Sequence, residues 1–268
     1  MDGHEVHAVP VQGPGGAPAM HAAKQQHLKA LQTELDHLNR LLGAGEHELA
    51  PAWQRITGGE SRWPVVAAIL VALVLQLTLP DQLALPSKWL LPGIEFGVLM
   101  ALIAMFPVRF DRESRARRTG GLILTALLSI ANAWSAVLLV TRLVEGQLGQ
   151  SAGPLLASGV AIWLTNVIAF AVWYWELDRG GPAARAMATR PLPDFLFAQI
   201  QSPELAPRDW EPGFVDYLYL SLTNATAFSP TDVLPLARWA KVAMALQSAV
   251  ALVVVAMVIA RAINILGS

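Results

Sequence analysis

Polar and apolar positions alternate in blocks along this chain. Residues 1–20 show no periodicity and are rich in Gly, Pro and Ala, which predicts a disordered tail. Within 21–62, Leu28, Leu31, Leu35, Leu38 and Leu42 recur at alternating spacings of three and four, the seam of a short coiled coil. Two readings of this stretch stand: an oligomerisation helix, or an amphipathic helix lying on a bilayer or on its own protein. Four apolar stretches follow, at 63–79, 89–106, 120–143 and 153–175, each about the length that crosses hydrocarbon. Trp63, Trp89 and the Trp173-Tyr174-Trp175 run sit at their ends, as an interfacial aromatic belt would. Residues 177–211 are Pro- and Ala-rich and mostly polar, which predicts a linker with one short amphipathic turn at 194–200. Residues 212–268 then predict a half-helix over about 213–226, a Ser/Pro/Thr/Asp turn, and a long last helix from Pro235 to about 266.

The half-helix is too short and too polar to span alone. Irregular backbone at membrane depth survives only where it is buried in protein or lines a wet cavity. The expected fold is therefore an all-α membrane protein of about five transmembrane helices and one re-entrant half-helix, with a short N-terminal cytoplasmic helix. The other reading of the half-helix is an amphipathic helix in the interface before an ordinary fifth span.

Composition agrees. Only 15% of the 268 residues are charged, and the mean hydropathy is +0.45, which fits a polytopic membrane protein. A net charge of −1 implies no bulk attraction to nucleic acid. With no cysteine, disulfides, thiol catalysis and Cys-ligated metals are excluded. The N-terminus has no basic and apolar signal-peptide pattern. Arg109, Arg112, Arg115, Arg117 and Arg118 cluster between the second and third apolar stretches, while 144–152 holds no Lys or Arg. Positive-inside bias then puts 107–119, the N-terminus and 177–211 in the cytoplasm of a multi-pass protein in the inner (plasma) membrane.

Candidate chemistry gathers at the half-helix. Its last carbonyls carry the negative end of the dipole, beside Thr223, Asn224 and Thr226. With Ser229 and Asp232 these oxygens would favour a partly dehydrated cation. Glu95, a third of the way into the second apolar stretch, is either a cation ligand or proton carrier, or a carboxyl held neutral or at the interface. Asn132, Asn166, Gln247 and Ser248 read as interhelical hydrogen-bonding groups. No triad, phosphate loop, dinucleotide fingerprint or metal spacing is present, so neither an enzyme nor a cofactor is expected.

The stretch from Asp216 to Pro235 resembles the pore helix, filter and post-filter turn of two-helix potassium channels. Asp232-Val-Leu-Pro235 matches the ending after the filter, and Thr226 falls close to the filter threonine. The chain also looks like a group of bacterial integral membrane proteins with a degenerate pore-loop terminus. The resemblance covers about the last fifth of the chain. It implies a channel-like protein, a homo-oligomeric pore in the lipid bilayer and monovalent cations as the permeant. The glycine filter is absent: Thr226-Ala-Phe-Ser-Pro-Thr231 stands in its place, so potassium selectivity is not carried over. The rival expectation is a non-transporting membrane scaffold or sensor component acting through its leucine helix. A small secondary transporter comes third.

Overall fold

In a computed structural model, the residues described are 29, 34, 54–57, 59–84, 89–105, 115–147, 152–207, 209–227 and 232–266. The 1–20 tail, the seam leucines Leu28, Leu31, Leu35, Leu38 and Leu42, and Ser229 lie outside them. The chain divides into two units, Met1–Ala50 and Pro51–Ser268. In the first, Lys29 and Glu34 are helical. Everything below concerns the second.

Its long helices follow the apolar stretches. Helix α1 is Trp63–Thr78, with Pro64 in the first turn, where a missing N–H costs nothing. Helix α2 is Leu90–Met105. Helix α3 is Arg115–Val144 and starts earlier than its apolar stretch. The arginines there are good helix formers, so hydropathy alone misplaces the boundary. Gly146, at φ +70°, ends it: the Gly146 and Gln147 amides donate back to the carbonyls of Leu143 and Arg142 at 3.2 and 2.9 Å. Helix α4 is Ala152–Leu177. Three helices, spanning Ala116–Val144, Ala152–Gly180 and Arg238–Leu266, are long and apolar enough to cross a membrane, and α1 and α2 are shorter apolar helices.

Helix α4 is the axis of the bundle and packs against α1, α3 and the two C-terminal helices, α7 (Phe214–Ala227) and α8 (Arg238–Leu266). Gly159 of α4 lets α8 approach closely, since a Cβ there would lie 2.8 Å from a methyl of Val258. Outward faces are apolar: Val71 and Val74, Ile94 and Met100, Ile130 and Val137, and Val242, Leu246, Ile259 and Ile263 are all exposed. Interior positions include Thr125, Asn132, Ser158, Thr165, Asn166, Ser221, Asn224 and Gln247. Apolar outside and polar inside suits a lipid surround, where an unsatisfied polar group facing the chains is costly.

Residues 177–211 pack onto one end of this bundle. After α4 the chain turns through Arg179 at φ 52° and two left-handed glycines, Gly180 and Gly181. It then forms α5 (Pro182–Ala186), β1 (Phe195–Leu196) and α6 (Ala198–Gln201). Strand β1 pairs antiparallel with β2 (Leu234–Pro235), just before α8. Phe195 and Phe197 are buried, with their rings edge-on to Tyr174, Tyr217, Trp239 and Trp210. No helical or strand period announces this burial, because its partners are remote in sequence.

Candidate functional site

Helix α7 begins at this packed end. Asp216 accepts the Gly213 amide at 2.8 Å, closing its first turn. Its inner face then meets α8 at successive depths. Tyr217 and Leu220 share a cluster with Ala240 and Met244, Ser221 and Asn224 bond Gln247, and Ala225 clusters with Ala251. The two helices therefore run in the same direction. The end of α7 thus lies at the level of Ala251, whereas β2 lies just before the start of α8.

Gln247 anchors this arrangement and is wholly buried. Its amide nitrogen donates to Ser221 O at 2.9 Å and Ser221 Oγ at 2.7 Å. Its amide oxygen accepts from Tyr174 OH at 2.7 Å and Asn224 Nδ2 at 2.8 Å. All four hydrogen-bonding positions of the side chain are filled. Asn224 also donates to Met244 O at 3.0 Å, Ser221 Oγ to Val167 O at 2.6 Å, and Ser248 Oγ to Asn224 O at 3.2 Å. The interhelical bonding expected of Gln247, Ser248 and Asn166 is present, the last donating to Gln247 O at 3.5 Å.

The sequence-predicted site residues thus separate. Asn224 faces inward and is engaged in this network. Thr226 is exposed and Thr223 is half-buried, and both hydroxyls bond back to their own helix, to Leu222 O at 2.9 Å and Tyr219 O at 3.0 Å. Asp232 is exposed. Glu95 lies away from this group, on α2. It is wholly buried, and neither oxygen has a hydrogen-bond partner.

A second polar cluster closes the packed end. Arg185 is buried on α5 and donates from one nitrogen to the carbonyls of Trp175 at 2.6 Å and Asp178 at 3.1 Å, capping the end of α4. Its other terminal nitrogen is 3.5 Å from Glu60 Oε2. The guanidinium lies over the rings of Tyr217 and Trp175, 5.1 and 5.9 Å from their centroids. Burial opposes its charge, and the surrounding anionic groups outweigh burial, so its pKa lies above the ordinary value. Glu60 also accepts Trp175 Nε1 at 2.7 Å and the Phe214 amide, which ties the lead into α1 to the start of α7. Burial pushes the Glu60 carboxyl up. Arg185 and those two hydrogen bonds pull against burial, and Glu211 adds to it. Asp178 accepts Tyr217 OH at 2.5 Å and the Asp194 amide at 2.9 Å, and the Asp194 carbonyl accepts the Leu236 amide at 2.8 Å. One chain of bonds therefore joins α4, β1, α7 and the start of α8. In the sequence, Arg179 and Arg185 read only as positive charges of the 177–211 segment. The dense Glu176-Leu-Asp-Arg179 run directly after the aromatic belt was the available signal.

Between α1, α2, α3 and α4 at this end lies a mainly apolar cavity, with Arg62, Arg117 and Glu176 among its lining. Among the described residues, no cluster of three or more His, Asp or Glu could hold a metal. No protein-family model, curated protein or solved structure matches the chain.

Proposed function

We propose that this is a channel-like integral protein of the inner membrane, with five spans and α7 as a re-entrant half-helix, that passes monovalent cations through an oligomeric pore. The observation that carries the reading is the parallel course of α7 and α8. Helix α7 has 14 residues, about 21 Å at 1.5 Å per residue. It penetrates to roughly mid-depth of α8 and the chain returns to the end it came from. Helices α1 and α2 have 16 residues each, about 24 Å, short enough to call for a locally thin bilayer. With the Arg-rich 107–119 connection inside, the N-terminus and the mouth of the half-helix face the cytoplasm.

Permeation is assigned to an axis between copies. Inside one chain the polar groups around Gln247 are engaged with one another, whereas Thr226, Thr223 and Asp232 turn toward the outer surface of the bundle, where neighbouring copies would bring them together. The leucine seam at 28–42 is the element we assign to assembly.

Reconstituted protein should pass monovalent cations across liposomes. Thr226→Val combined with Asp232→Ala should cut that flux about tenfold, the effect of losing ~1.4 kcal/mol of ion stabilisation. Wild-type flux no greater than that of empty liposomes contradicts the reading. A second reading, a membrane scaffold or sensor component without transport, is favoured by one observation: the Thr223 and Thr226 hydroxyls and the Asn224 amide are all bonded within the protein. That reading predicts no flux with a stable oligomer.

A further inference from the structure

We infer that Glu95 is a proton-binding site buried between α1 and α2, with Gln76 as its polar neighbour. Glu95 is wholly buried and Gln76 is 8% exposed. Both Glu95 oxygens and the Gln76 amide nitrogen lack a hydrogen-bond partner. The Gln76 side chain is nonetheless a hydrogen-bonding neighbour of the carboxyl. A buried amide beside a buried carboxyl, each with unpartnered polar atoms, either occupies a costly arrangement or serves a third species.

The chemistry points to a proton. An ionised carboxylate in an apolar helix interface needs a partner charge, and among the described residues none is at hand. Helix α1 holds no ionisable residue, and α2 holds only Glu95. Between 63 and 105 the remaining charges are Asp81 and Lys88, in the connection between the two helices. Helix α3, which packs on α2, carries Arg115, Arg117 and Arg118 at the end where Gly120 meets Leu102, and Arg142 toward its other end. A bound metal cation would gather about six or more oxygens, and one carboxyl and one amide do not supply them. A proton needs only the carboxyl. The Gln76 amide suits both states: its oxygen accepts from the protonated acid, and, after a half-turn, its nitrogen donates to the carboxylate. The inference is independent of the permeation reading and needs only that α1 and α2 lie in apolar surroundings.

Dicyclohexylcarbodiimide, an apolar reagent that reacts with protonated carboxyl groups, tests it on the full-length protein in liposomes, with peptide mass mapping as readout. Glu95 should acquire the adduct, and Glu95→Gln should lose it. Once the carboxyl ionises, labelling should slow about tenfold per further pH unit. Gln76→Leu removes the donor that favours the ionised form, so labelling should persist to higher pH. Three results would overturn the inference. They are no adduct at Glu95 at any pH, a labelling rate that is flat from about pH 5 to 9, or protection by sodium or potassium at constant pH, which marks a metal-cation site.

Discussion

Replacing Arg185 with methionine is expected to destabilise the protein by about 3–5 kcal/mol, the cost of breaking a buried ion pair from one side. Methionine fills much of the volume, so the loss is chiefly electrostatic. The Trp175 and Asp178 carbonyls lose the donor that caps α4, and Glu60 and Asp178 keep their burial without the cation. Arg185→Lys keeps the charge but not the planar fork that reaches two carbonyls and a carboxylate, so it recovers only part of the loss. Acid should recover part of the stability lost in the methionine variant. The folded-state pKa of Glu60 already lies above its ordinary value because of burial, and Arg185 is the chief group holding it down. With Arg185 gone it rises further. A raised carboxylate pKa means that the folded state binds the proton more tightly, so stability is gained as pH falls through the folded value and lost as pH rises through it. The variant should therefore melt closer to wild type at acidic pH than at neutral pH. Thermal unfolding in detergent across pH measures this, and a pH-independent gap would count against the role given to Glu60.

Gln247→Leu is the second large effect. The substitution leaves Tyr174 OH, Asn224 Nδ2 and the Ser221 pair without their shared partner. Interhelical hydrogen bonds between membrane helices average about 0.6 kcal/mol each, while an orphaned buried polar group costs about 1–3 kcal/mol. Four lost bonds with partial rearrangement give about 2–4 kcal/mol. The loss should concentrate at the α4–α7–α8 junction. Amide exchange or limited proteolysis should show α7 released before α1–α3. Uniform loosening of the whole bundle would place the anchor elsewhere.

The apolar runs made α1 to α4 and α8 legible, because each buries one side and offers apolar surface on the other. Boundaries were less legible where polar residues extend a helix, as Arg115 to Thr119 do for α3. The end cap at 177–211 was hidden for a different reason. Its burial comes from pairings such as Phe195 with Trp239 and Asp194 with Leu236, which join segments about 40 residues apart and leave no local period. Gln247 stood out as a polar residue in an apolar run, but its partners Tyr174 and Ser221 lie 73 and 26 positions away. Threonine-rich composition at the end of α7 was visible. Which side of α7 each residue occupies depends on that same anchor, which turns Asn224 inward and Thr226 outward. Glu95 was visible as a carboxyl in an apolar stretch. Gln76 acquires meaning only when α1 and α2 come together.

The re-entrant course of α7 is the claim on which the permeation reading depends, and the absence of cysteine from the chain allows a clean test. Single cysteines at Gln147, Ser202 and Asp232 can be labelled with a membrane-impermeant maleimide in oriented vesicles. Ser202 and Asp232, on either side of α7, should both react from the cytoplasmic face, and Gln147 only from the opposite face. Reaction of Asp232 from the face opposite to Ser202 would mean that α7 crosses the bilayer, and would contradict the half-helix.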